Sequence, residues 1–476
     1  MKPTSIINLA FDLGASSGRL MMSHFDGKQI KLEEIHRFPN EPVWMNGRFY
    51  WDFLRLLHEL KEGLKKIAHL GVEVAGIGLD TWGVDYGLLD KDGQLLSNPV
   101  HYRDGRGDGM LEEIEKNISF QEIYQKTGIQ YMSFNTLYQL YHDIKYRPHI
   151  VAQAESLLFM PDLFCFALTG KKYNEYTEAS TSQMLNAFSK EWDMDLLERA
   201  ELPAHLLQPL IHPGEVWGTL SKEIQEEVGL PAIPVIAVGS HDTASAVAGT
   251  PLTSSSSAYL SCGTWSLLGM ELDDPMISEL SYEHNFTNEG GVEGKIRFLK
   301  NITGLWIIQQ LKRGWANTNP EIGYAQISQL AKEVTNTEFI IDPNDEVFVA
   351  PFDMAAAIQN YCKTHGQEVP KTIGEIARAA YNGIVDQYKE AVLALEEITG
   401  QSIDRLHMVG GGIQDQFLCQ LTANAIGKTV VTGPIEASVL GNVMMQLKGL
   451  GYVQTLEEAR QIIMNSFEMK EYKPQA

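Results

Sequence analysis

Ser240-His241-Asp242-Thr243 joins an apolar run, Ile233 to Gly239, to a stretch of small residues, Ala244 to Ala248. The run has strand character, and the small residues suit a closely packed helix. A carboxylate at such a junction can be held rigidly while another molecule approaches closely, which suits Asp242 to general-base work. Asp at a strand-to-helix junction also serves as a helix N-cap that accepts backbone N–H bonds. Taken alone, the tetrapeptide does not separate these two roles.

Two glycine turns and a glycine run offer a second kind of chemistry. Asp12-Leu-Gly-Ala-Ser-Ser-Gly-Arg19 lies between two predicted strands. Its glycines let backbone N–H groups approach a phosphate, Ser16 and Ser17 add hydroxyl donors, and Arg19 adds charge. Asp12 ends an apolar strand, where it can hold a hydrated Mg2+. The same segment also reads as a plain Gly/Ser hairpin with Asp12 as turn former. It is neither a Walker A loop nor a Rossmann fingerprint. Gly263-Thr264 is a similar turn, whose threonine hydroxyl can donate to a second phosphate. Gly410-Gly411-Gly412 follows a short strand and precedes a helix, permitting close backbone approach to phosphate or a flat ligand. A lone run of three glycines is equally a flexible loop.

The elements that position these residues follow from periodicity. Residues 5 to 36 predict three strands, the first, Ile6 to Phe11, apolar enough to be covered on both faces. Asp52 to Leu70 has helical spacing and stops at Gly71. Val74 to Leu79 and Tyr86 to Leu89 read as further strands. Strand, glycine turn and strand recur at Ala258–Ser261 and Trp265–Met270, which predicts an internal duplication with a boundary near 245 to 255. Thr372 and Glu375 form a capping-box signature opening a helix that ends at Gly400. A strand at 406–409, a helix at 415–425, a strand at 429–432 and a final helix to about Gly449 follow, with a helical and then frayed tail.

At 476 residues the chain is too long for one compact core, so two or three domains are expected. A formal net charge of −23 disfavours a nucleic-acid or anionic-membrane partner. An acidic protein binds nucleotide only with local help from backbone N–H groups, helix N-termini or a divalent cation. The four cysteines have no metal-site spacing and are too sparse for a disulfide framework. No signal-peptide core and no run of about 18 apolar residues occurs, so the expected compartment is the cytoplasm.

Taken together and in order, these segments resemble the FGGY carbohydrate kinases over essentially the whole chain. The segments that carry the resemblance are 12–19, Asp80-Thr-Trp-Gly-Val-Asp85, Tyr102 to Arg106, Phe134 to Gln139 and Met160 to Asp162. Further ones are 240–245, 263–265, Thr287-Asn-Glu-Gly-Gly291, Leu299 to Trp306, 409–412 and Glu436 to Ser438. Ala15 stands where many members of the family carry Thr. The resemblance implies an α/β fold of two ribonuclease H-like (actin-like ATPase) domains with a central cleft. It divides the chain into 1–246, with the sugar site and first phosphate loop, 247–455, with the nucleotide site, and a C-terminal helix and tail at 456–476.

The same resemblance implies an ATP- and Mg2+-dependent ketose kinase with a small-molecule sugar as partner, monomeric or a small homo-oligomer. L-rhamnulose is the expected substrate. L-fuculose, xylulose or an actin-like ATP-binding switch are the alternatives. Asp242 would be the base, with His241 and Thr243 flanking the sugar. Gly83 and Asn301 would contact the sugar too. Ala15, Ser16, Ser17, Gly18 and Arg19 would form the first phosphate loop, Thr264 part of the second, and Gln309 and Gly411 would lie beside the nucleotide. Asp12 would be the carboxylate on the Mg2+ side.

Overall fold

The apolar run from Ile6 becomes a central strand of a six-stranded sheet. The computed structural model describes residues 5–349 and 351–475. The elements around the candidate residues are β1 (Ile6–Leu13), β2 (Ser17–Phe25), β3 (Ile30–Pro39), α1 (Phe53–Leu70), β4 (Gly76–Thr81), β5 (Val216–Thr219), β6 (Pro234–Ile236) and α2 (Asp242–Ala248). Then come β7 (Ala258–Cys262), β8 (Trp265–Leu272), β9 (Thr287–Gly290), β10 (Ile296–Thr303), α3 (Trp306–Ala316) and α4 (Ile373–Thr399). The last are β11 (Arg405–Val409), α5 (Gln416–Ile426), β12 (Thr429–Thr432), α6 (Ala437–Gly449) and β13 (Lys470–Tyr472). Two compact units result. One comprises the chain up to 251 with 271–298 and 437–466; the other comprises 252–270, 299–436 and the chain from 467.

In the first unit the strand order is β5-β6-β4-β1-β2-β3. β1 pairs antiparallel with β2 and parallel with β4, and Asp12 lies opposite Asp80 in the register. β6 is parallel to β4, and the Thr81 N–H donates to the Ser240 carbonyl at 2.8 Å. Parallel strands end at the same sheet edge, so Asp12, Asp80 and the entry to α2 share that edge. Leu9, Phe11 and Leu13 are fully buried, as a doubly covered strand requires. α1 supplies one layer through Leu56, Leu60, Leu64 and Ile67. Its ends are those expected: the Asp52 side chain accepts from the Arg55 N–H, and Gly71 closes it at φ 63°.

The other layer includes α6. Gly78 of β4 makes room for it, since a Cβ there would lie 2.4 Å from Asn442 Oδ1 and 2.7 Å from Gln446 Nε2. The compact units are thus discontinuous along the chain. Segments 271–298 and 437–466 belong with the first unit rather than with their sequence neighbours. For α6 the reason is backbone-close packing of Gly441 against Ser245 of α2, together with hydrogen bonds from Asn442 and Gln446 to β1 and β4.

In the second unit β8, β7, β11, β12 and β13 lie side by side. β7 is antiparallel to β8 and parallel to β11, repeating the relation of β1 to β2 and β4. The duplication inferred from element order is thus present in strand pairing. α4 opens on the Thr372–Glu375 capping box and ends at Gly400, φ 66°. The tail departs from the expected frayed end. Lys470–Tyr472 forms β13 because β12 offers an edge for antiparallel pairing.

Candidate active site

Asp242 is not a helix cap. The N-cap of α2 is His241, in extended conformation and without a side-chain capping bond, so Asp242 falls in the first helical turn. Its carboxylate is about one-third exposed, 33%. Oδ1 accepts from the Thr243 hydroxyl at 3.1 Å and lies 3.6 Å from His241 Nε2. Burial pushes the Asp242 carboxyl above the ordinary carboxylate range, His241 opposes the shift, and the Asp12 charge adds to it. Thr243 is buried, so its hydroxyl serves the carboxylate beside it.

The backbone that carries this turn is held from beneath. Glu175 Oε2 accepts from the Ser240 N–H at 3.2 Å, the Glu178 N–H at 3.1 Å and the Thr177 hydroxyl at 2.6 Å. Thr177 Oγ1 in turn accepts from the His241 N–H at 3.3 Å. Burial raises the Glu175 carboxyl to about 7, against the bonds it accepts.

Gly83 packs against His241: a Cβ there would lie 3.2 Å from Nε2. The next residue, Val84, has φ 70°, a left-handed conformation that a β-branched residue rarely adopts. Glu178 Oε1 holds it by accepting the Val84 N–H at 2.9 Å, and the Thr136 hydroxyl donates to its carbonyl at 2.7 Å. Such strain persists only where the surroundings over-determine it, as they do here. Trp82 is buried and packs against Trp51 with 3.9 Å between ring centroids and the planes tilted by 32°. Both indole N–H groups donate to Asp85 Oδ2.

The phosphate-type loop is a tight turn: the Gly14 N–H donates to the Ser17 carbonyl, and Asn40 donates to the Ser16 and Gly14 carbonyls. Ala15 and Ser16 are exposed and Ser17 is half-buried. Gly18 is needed for packing, because a Cβ would lie 2.3 Å from the Phe38 ring. Arg19 donates twice to Asp12 Oδ2, at 3.0 and 2.8 Å, so part of its charge is spent on that carboxylate. Beside it, Asp80 accepts from Asn442 Nδ2 at 2.6 Å, and its buried Oδ1 has no hydrogen-bond partner. Burial first, and then the nearby Asp12 charge, hold the Asp80 carboxyl well above its usual range.

Asp12, Asp80 and Asp242 bring three carboxyl groups to this edge, and the Asp12 charge adds to the upward shifts of the other two. Among the described residues no set of three such groups has the spacing of a direct metal cage. This edge fits a hydrated divalent ion that keeps water and takes its remaining oxygens from phosphates.

Residues of the second unit form another group. The Thr264 hydroxyl donates to Gln309 Oε1 at 3.2 Å, and the Leu305 and Trp306 N–H groups close onto the Gly263 and Thr264 carbonyls. The glycine run packs on Cys262: Gly410 has φ 86°, and a Cβ on Gly412 would lie 2.3 Å from Cys262 Sγ. Gly411 differs, with nothing within 4 Å of its Cβ position. That open face is compatible with a nucleotide. Asn301 lies within β10, half-buried, and is not a helix cap.

The structure therefore gathers Asp12, the 15–19 loop, Gly83, His241, Asp242 and Thr243 in one unit. Thr264 and Gln309, which are hydrogen-bonded, lie with Gly411 and Asn301 in the other. Sequence reasoning missed Asp80, Glu175, Glu178 and Asn442. Asp80 lay within a segment already singled out; Asn442 carried no local signal.

Residues 7–249 match the model of the N-terminal domain of the FGGY family of carbohydrate kinases, and residues 258–450 match that of its C-terminal domain. The chain belongs to this family of kinases, and its fold is that of the ribonuclease H-like, actin-like ATPases. Within the family it is similar to the rhamnulokinase of Bacteroides thetaiotaomicron, 44% identical over 468 residues, covering 98% of this chain and 95% of that one. It is also similar to the rhamnulokinase of Halalkalibacterium halodurans, 42% identical over 465 residues and 98% of each chain. Among solved structures, a ligand-bound xylulose kinase from Lactobacillus acidophilus superposes with TM-score 0.81 at 18% identity, covering 98% of this chain and 94% of that one. No helix among the described residues is long and apolar enough to cross a membrane.

Proposed function

We propose that this sugar kinase transfers the γ-phosphoryl group of ATP to the 1-hydroxyl of L-rhamnulose. The observation that carries the reading is Asp242, a partly exposed carboxylate released from capping and held beside His241 and Gly83. Relatives at 40–44% identity that bear the name rhamnulokinase support the choice of sugar.

A sugar hydroxyl is a weak nucleophile near neutral pH. Asp242 orients it and accepts its proton as the new O–P bond forms and the bond from γ-phosphorus to the β–γ bridging oxygen breaks. Burial raises the basicity of Asp242, which favours that proton transfer. His241 and the Gly83 backbone position the sugar, with Asn301 as a further contact. N–H groups of the 15–19 loop and the Thr264 hydroxyl hold phosphate oxygens, and Gln309 and Gly411 border the nucleotide. Asp12, with Asp80 and Asp242 beside it, would hold Mg2+, which when bound neutralises phosphate charge. The domains would be 1–246 for sugar and first phosphate loop and 247–455 for nucleotide. Four buried, unpaired cysteines support a reducing compartment such as the cytoplasm.

The test is ADP release with L-rhamnulose, L-fuculose, L-xylulose and D-xylulose under identical Mg-ATP. L-rhamnulose should have the highest kcat/KM. A tenfold or larger preference for another ketose overturns the named substrate; ATP turnover indifferent to every sugar points instead to a switch protein.

A further inference from the structure

Segments 80–85, 102–106 and 134–139 of the first unit converge on one buried carboxylate, Asp85. Its Oδ2 accepts from the indole N–H of Trp51 at 2.6 Å, the indole N–H of Trp82 at 3.2 Å and the backbone N–H of Tyr102 at 3.1 Å. Its Oδ1 accepts from Gln139 Nε2 at 3.1 Å. A buried carboxyl group is costly unless hydrogen-bonded, and here donors meet both oxygens. The side chain is a fixed hub.

The rings it holds lie beside the candidate base. Trp82 directly precedes Gly83, whose Cβ position is 3.2 Å from His241 Nε2. Tyr102 is half-buried. Burial pushes its hydroxyl up, Arg103 opposes the rise, and the charges of Asp85 and Asp242 add to it, so the phenol stands within electrostatic reach of Asp242. Behind these two rings Trp51 is fully buried, packed on Trp82 and stacked on His101 with 4.0 Å between centroids. Tyr102 lies 4.5 Å from His101 and 5.4 Å from Phe134, again between centroids. Side chains locked by packing and by bonds to a common acceptor keep one geometry.

We propose that Asp85 is a positioning residue that fixes Trp82 and Tyr102 as a rigid apolar wall of the ketose site, and that this wall selects a sugar whose sixth carbon is a methyl group. The inference rests on the sugar site proposed above. A 6-deoxy ketose is polar along its length except at that methyl, the part of it that suits an aromatic surface. The indole N–H of Trp82 is spent on Asp85, so Trp82 offers a sugar only carbon. A hydroxyl on the sixth carbon would give up water there and gain no partner. Without Asp85 the indole N–H groups and the Tyr102 N–H would lack their acceptor, and the rings would turn to find others.

The test compares kcat/KM for L-rhamnulose and for L-fructose, the same ketose with a hydroxyl on its sixth carbon, at pH 8 under identical Mg-ATP. The wild-type chain should prefer L-rhamnulose by up to about 100-fold, the reach of an apolar pocket against an added hydroxyl. Asp85→Leu should lose about tenfold or more of that preference and raise KM for the ketose, with KM for ATP unchanged. Asp85→Asn, which keeps an acceptor oxygen, should stay nearer the wild-type ratio. Trp82→Ala leaves Asp85 its other partners and should lose the preference too, which keeps the test open if Asp85→Leu does not fold. A wild-type chain that treats the two sugars alike overturns the proposal whatever the variants do. So does a folded Asp85→Leu chain with a lower unfolding temperature and an unchanged sugar ratio, the mark of a purely structural hub. If L-fuculose is the best substrate, the named sugar fails and the wall does not: it is then upheld or overturned by the ratio of L-fuculose to its 6-hydroxy counterpart, L-tagatose, in wild type and Asp85→Leu. A preference for D-xylulose, which has no sixth carbon, defeats both.

Discussion

Gly441→Ala should disable transfer without touching a group that meets substrate. α2 and α6 cross so closely that a Cβ on Gly441 would lie 1.8 Å from the Ser245 carbonyl oxygen, and one on Gly249 would lie 2.0 Å from the Ala437 carbonyl oxygen. Real Cβ atoms essentially never approach within 3.0 Å, so a single methyl forces the helices apart by more than 1 Å. The obstruction is backbone, which has no rotamer with which to yield. α2 carries Asp242 in its first turn, and α6 carries Asn442, which holds Asp80. A displacement of about 1 Å in a reacting group costs on the order of 100-fold in rate. That corresponds to about 2.7 kcal/mol of transition-state stabilisation, alongside an overpacking cost to stability of roughly 1–3 kcal/mol.

ADP release at saturating ketose and ATP, together with thermal unfolding, measures both effects. The control is Gly314→Ala in α3, where nothing lies within 4 Å of the new methyl. There activity should be unchanged and stability should rise by up to about 1 kcal/mol. A Gly441→Ala enzyme with wild-type kcat, or an equal loss in Gly314→Ala, would refute the argument that this helix contact positions the base.

Asp242→Asn keeps the shape of the site and should lower kcat by about 100-fold or more with little change in KM for ATP; near-normal turnover of the folded variant removes Asp242 from the mechanism. Gly411→Val should raise KM for ATP more than KM for the ketose and leave the unfolding temperature unchanged, because its Cβ points into open space. Gly412→Ala, aimed at Cys262 Sγ, should instead lower the unfolding temperature. Reversal of that contrast would mean that the glycine run is placed differently. Glu175 and Asp85 are raised by burial to about 7 and about 6. The folded chain therefore holds protons there that the unfolded chain has released, so this contribution to stability is complete below the ordinary carboxylate values and is lost as pH rises to about 7. Glu175→Gln should flatten the fall in unfolding temperature between about pH 4.5 and 7, and an unaltered slope would count against a protonated Glu175.

What was legible in the sequence is what depends on neighbours along the chain. The apolar run at Ile6, the Asp52 cap and Gly71 stop of α1, and the Thr372–Glu375 box of α4 declare themselves because periodicity and turn chemistry are local. The ordered segments from 12–19 to 436–438 carried the resemblance to the FGGY kinases, and the junction at 240–243 singled out Asp242. The roles of side chains brought from afar could not be read this way. Asn442 reaches Asp80 across 362 residues, and Glu178 reaches Val84 across 94. An asparagine in a helix or a glutamate among small residues has the same local appearance whether it faces solvent or a buried carboxylate.

The same holds for the boundaries of the units and for the last strand. α6 leaves its sequence neighbours because Gly441 and Gly249 let two backbones meet, and β13 forms because β12 has an edge to offer. By itself the sequence determined the elements, the family and the candidate base, since these rest on residue type and spacing. Only the tertiary structure decided which buried partners ionise, strain or orient those residues, because such energies depend on contacts in space that no local pattern encodes.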